Sequence, residues 1–68
     1  MRYAVVIERA DGNLSAYVPD LPGCVATGES VAIVEVNIRD AIRLHIEGLR
    51  EDRLPIPEPR AIADYVDA

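Results

Sequence analysis

The side chains that could do chemistry in this chain are few: one cysteine, one histidine and scattered carboxylates. Cys24 as a nucleophile would need a base or an electropositive setting to form a thiolate. His45 is the only imidazole, and its spacing from Ile38, Ala41, Ile42 and Leu49 places it on the apolar stripe of a predicted helix. A packed histidine accounts for it there. One His and one Cys, without C-x-x-C or H-x-x-x-H spacing, do not make a zinc site. Glu8, Asp11 and Asp20 are the candidates for an acidic metal cluster of the nuclease type, which needs several carboxylates on neighbouring strands. Asp11 and Asp20 stand in turn sequences, where Asp bonds local backbone, and Glu8 stands at a strand end. The expectation is no catalytic residue, no metal and no cofactor. Such a chain acts by presenting surface.

Size and charge bound that surface. Sixty-eight residues allow one domain, 1–68. A core of this length is marginal without disulfides, metals or partners, and a single cysteine forms no intrachain disulfide. Half the residues are hydrophobic, with no Phe and no Trp. The core is therefore aliphatic, and self-association is the expected support. The net charge is −5, from twelve acidic residues against seven arginines and no lysine. That balance disfavours nucleic acid, whose phosphates need a basic patch, and suits a basic protein partner. No apolar run approaches the ~20 residues of a membrane span. The first residues lack signal-peptide shape, and one unpaired cysteine fits a reducing compartment. A cytoplasmic location is expected.

The elements that must present the surface read as follows. Arg2 to Arg9 is rich in Tyr, Val and Ile and predicts a strand. Asp11-Gly12 marks a hairpin turn, and Leu14 to Val18 the return strand. Pro19 ends pairing because it has no amide proton. A second turn holds Pro22 and Gly23, and a short third strand over Cys24 to Thr27 is possible. Ser30 is a good N-cap for a helix over 31–50, whose core stripe is Val31, Val34, Ile38, Ala41, Ile42, His45 and Leu49. Ile33 and Val36 lie off that stripe and form an apolar shoulder, a possible oligomer interface. Prolines 55, 57 and 59 predict a stiff extended connector. Arg60 to Val66 reads as a final strand or a helix, and both remain open.

The run Tyr17-Val18-Pro19-Asp20-Leu21-Pro22-Gly23-Cys24, in this setting, resembles the signature of the HicB family of type II antitoxins. The preceding Val5-Val6-Ile7-Glu8 strand, the following Gly28 and Ser30, and a helix with Asn37, Ala41 and Leu44 to Leu49 extend the likeness. Ile56-Pro57-Glu58-Pro59 closes it, so it covers about residues 3 to 59. The resemblance implies an α+β, partial ribonuclease-H-like fold of order ββ(β)αβ, an antiparallel meander with one helix packed on it. It also implies an antitoxin that binds and neutralises a small basic HicA-like toxin ribonuclease, and assembly as a dimer or higher oligomer. Many relatives add a helix-turn-helix or ribbon-helix-helix segment for DNA. Residues 1–68 hold neither, so this chain is expected to be a short form that does not contact DNA directly. The family helix commonly begins with acidic residues and alanine, where this chain has Ile33 and Val34.

Two surfaces are therefore singled out. The family-motif turn, Pro19, Asp20, Leu21, Pro22, Gly23 and Cys24, is either a structural corner or a partner contact. The carboxylates Glu29, Glu35, Asp40, Glu47, Glu51 and Asp52 either face solvent or meet a basic toxin. The rival to the antitoxin reading is a stand-alone homo-oligomeric regulatory or small-ligand-binding module without a toxin partner.

Overall fold

The structure, a computed structural model, describes residues 1–68. Three strands, β1 (Val6–Ala10), β2 (Asn13–Tyr17) and β3 (Val25–Gly28), form one antiparallel meander, and a single helix, α1 (Val31–Glu51), follows. The fold is α+β, and the third strand is formed.

The hairpin is set by register. Ala10 pairs with Asn13 across Asp11-Gly12, and Gly12 takes the left-handed position (φ 68) that the reversal needs. β1 starts at Val6 rather than at Arg2. Its partner is Tyr17, the last residue of β2, and beyond it the partner strand turns away at Pro19. Residues 2–5 thus have no strand to continue pairing with.

Strand alternation puts Leu14 and Ala16 on the helix face. They form the core with Val18, Leu21, Cys24, Val34 and Ile38. Only these seven residues are buried. Ser30 caps α1: its backbone is extended and its Oγ accepts from Ile33 N at 3.2 Å. The far end closes in a Schellman pattern, with Leu54 N donating to Leu49 O (2.8 Å) and Arg53 N to Arg50 O (3.1 Å). Arg53 takes the left-handed position there (φ 56), usually filled by Gly.

The core stripe is shorter than its periodicity predicts. Val34 and Ile38 are buried, Ala41, Ile42, His45 and Leu49 half-buried, and Val31 exposed. The reason is a mismatch in length. Twenty-one helical residues run ~32 Å, against ~17 Å for the five-residue strands. The second half of α1 overhangs the sheet. The helix also sits off-centre, packing on β3 and β2 and hardly on β1.

The expected final element is absent: residues 60–66 are neither strand nor helix, so the order is βββα rather than ββ(β)αβ. Two amides that a strand would spend on a neighbour, those of Arg60 and Ala61, are bonded to the Asp20 side chain instead. The Ala and Asp residues that follow are weak strand formers.

Candidate partner-binding surface

The family-motif turn comprises two consecutive β-turns. Leu21 N donates to Val18 O (3.1 Å), with Pro19 at the second position of the first turn. Cys24 N donates to Leu21 O (3.0 Å), with Pro22 at the second position of the next. Gly23 follows Pro22 at φ 83, the left-handed site of a type II turn. Val18 N donates to Cys24 O (3.2 Å) and ties off the loop. This path turns Leu21 and Cys24 inward, both buried, and leaves Pro19, Pro22 and Gly23 exposed.

Asp20 is the one polar side chain the motif offers. Its Oδ2 accepts from Arg60 N (2.9 Å) and Ala61 N (3.0 Å), forty residues along the chain. Those two bonds, with help from the Arg60 charge, hold its carboxyl below the usual value. Tyr3 Oη donates to Pro57 O and fixes the same segment one turn earlier. The motif thus secures the chain that follows the helix. Burial pushes the Cys24 thiol above its ordinary pKa, so it is held protonated, the form that does not attack. No three His, Cys, Asp or Glu residues come together in a way that could hold a metal.

The off-centre helix has two different flanks. On the β3 side the contact is closed. A Cβ on Gly28 would lie 2.7 Å from Val34 N and 3.0 Å from Ile33 Cγ2, so only glycine permits this approach. Asn37 Nδ2 donates to Thr27 O at 2.8 Å and clasps the edge strand. On the outer face of α1 next to this flank, at three- and four-residue steps, run Ile33, Val36, Asp40, Leu44, Glu47 and Glu51. Ile33 and Val36 are about half exposed, so the sheet edge does not bury this shoulder. Leu44, which sequence reasoning did not single out, is 69% exposed and continues their row. Its spacing from Val36, two helical turns, was the available signal.

On the β1 side the contact is open. A groove of about 810 Å³ runs between the inner face of β1 with its preceding residues and the helix, with Arg39, Arg43 and Arg50 along its rim. The acidic set expected to form one surface is therefore divided. Asp40 and Glu51 belong to that outer face, Glu35 lines the groove and Glu47 borders both. Glu29 lies before the N-cap and Asp52 caps the far end.

The helix-free face of the sheet carries a further apolar row. Register aligns Val6, Tyr17 and Val25 across the strands, with Val25 64% exposed. Glu8, Ser15 and Thr27 form the polar row beside it.

A family model for the HicB-like antitoxin of bacterial toxin–antitoxin systems matches residues 3–68. This chain belongs to that antitoxin family. The family is one of antitoxins and not of enzymes. A solved HicA3–HicB3 toxin–antitoxin complex contains a chain with the same fold, at TM-score 0.76 and 30% identity. The match covers 87% of this chain and 70% of that one. A UPF0150 protein of Thermoplasma acidophilum is 39% identical over 62 residues, 90% of each chain. A 14.9 kDa protein from the rep-hol intergenic region of Haemophilus phage HP1 is 34% identical over 67 residues, 98% of this chain. The chain spans 50% of that phage protein's length. No helix of this HicB-like chain is long and apolar enough to cross a membrane.

Proposed function

We propose that this HicB-like chain binds and silences a small basic HicA-like toxin ribonuclease, and that the outer face of α1, beside its β3 flank, is the surface that seats it. The observation that carries this reading is the composition of that face. Ile33, Val36 and Leu44 are exposed side chains with Asp40, Glu47 and Glu51 beside them at helical spacing. Aliphatic anchors in the centre of an interface supply affinity. Carboxylates around them steer a cationic partner and reject an anionic one. The toxin–antitoxin complex that contains its structural neighbour supports the same reading.

The test is co-expression with any small basic protein encoded beside this chain. A stable complex should co-purify, weaken as ionic strength rises, and leave the toxin unable to cleave RNA. If no neighbouring basic protein binds at micromolar concentration, the antitoxin reading fails for this chain and the stand-alone module replaces it.

A further inference from the structure

The groove on the β1 side is left without an occupant by the reading above, and its chemistry differs from the rest of the molecule. Tyr3, Val5, Ile38, Ile42 and Ile46 give it apolar walls. Arg2, Arg39, Arg43 and Arg50 face Glu35 and Glu47, a local excess of positive charge in a chain of net charge −5. A basic toxin is the wrong partner for it. A short acidic segment with large apolar side chains is the right one.

The chain carries such a segment. After the Asp20 anchor at Arg60 and Ala61, the tail continues Ile62-Ala63-Asp64-Tyr65-Val66-Asp67. Ile62, Tyr65 and Val66 are 92%, 98% and 86% exposed. No residue beyond Arg50 lines the groove. These three side chains face solvent and touch no part of the groove of their own chain. The root of the tail is held by Tyr3 to Pro57 and by Asp20 to Arg60 and Ala61, and three prolines stiffen what lies between.

We infer that the groove between β1 and α1 receives residues 62–67 of a second copy of this chain, reciprocally, giving a two-fold dimer. Ile62, Tyr65 and Val66 lie against the groove's aliphatic walls, and Asp64 and Asp67 pair with its arginine rim. The exchange is isologous, so each copy gives a tail and takes one. It covers Ile62, Tyr65 and Val66, which a single chain leaves exposed.

The test keeps the chain at full length and reverses charge on either side of the joint. One variant carries Asp64→Arg and Asp67→Arg, on the exposed tail where folding is untouched; the other carries Arg39→Asp and Arg43→Asp on the exposed rim. Light scattering at tens of micromolar should find the unaltered chain dimeric. Each variant alone should dimerise at least roughly tenfold more weakly, as expected for opposed charges at an interface. Mixing the two variants should restore the dimer, because both joints of the mixed pair then hold opposite charges. Tyr65→Ser with Val66→Ser should weaken it without any charge change. A monomeric unaltered chain, or a dimer indifferent to these substitutions, overturns the inference. So does failure of the mixed variants to pair, which would place the tail in its own groove or elsewhere.

Discussion

The two flanks of α1 are made from the same helix and share one core, yet they differ in both packing and charge. The β3 flank is closed by the approach of Val34 to Gly28 and by the Asn37 clasp, and the outer face next to it presents carboxylates among aliphatic side chains. The β1 flank is open, basic-rimmed and apolar within. The difference comes from where the helix sits. By leaning toward β3 it uses that edge for packing and leaves the inner face of β1 short of a partner.

The largest test of this asymmetry is Leu21→Ala. Leu21 is fully buried in the core, and truncation should cost ~2–5 kcal/mol, read by chemical denaturation. Ile42→Ala, facing the open groove and only half-buried, should cost about 1 kcal/mol. Equal costs would mean the groove side is packed as tightly as the core. Gly28→Ala comes next, at about 1–3 kcal/mol, because the added methyl meets helix backbone that has no rotamer to relieve it. Leu44→Arg, at an exposed site, should leave stability within ~0.5 kcal/mol while weakening the toxin complex by roughly tenfold or more. Arg43→Ala, on the other flank, should barely change toxin affinity in a titration of the same complex. A reversed pattern would move the toxin to the groove.

The smallest effect is local and depends on pH. The Asp20 carboxyl is depressed in the folded chain by the amides of Ala61 and Arg60. Its hold on the tail is complete above the ordinary carboxyl value of 3.8 and is lost as pH falls through the lower folded value. Amide exchange or NMR mobility of residues 60–67 should therefore rise in acid before the sheet melts. Asp20→Asn should loosen the same residues at neutral pH. A tail equally protected in that variant would show that Asp20 does not hold it.

The meander, the helix and its N-cap were legible in the sequence because each is set by neighbours: Asp11-Gly12, Pro19, Ser30 and the helical spacing of Val34 and Ile38. The Ile33 and Val36 shoulder was legible for the same reason. The extent of the core stripe was not. Whether Ala41, Ile42, His45 and Leu49 are covered depends on the length of the sheet beneath them, which no helical periodicity encodes. Residues 60–66 offered weak signals for both strand and helix, and took neither once Asp20 had claimed the amides at their root.

The sequence by itself therefore determined the elements, the fold class, the shortage of reactive side chains and the overall acidity. Only the tertiary structure decided how that acidity is distributed, seating α1 against β3 and dividing Glu35 and Arg39 from Asp40 and Leu44. Elements form from contacts a few residues apart. A flank acquires its character from what lies across from it, and that is fixed by packing between residues far apart in the chain.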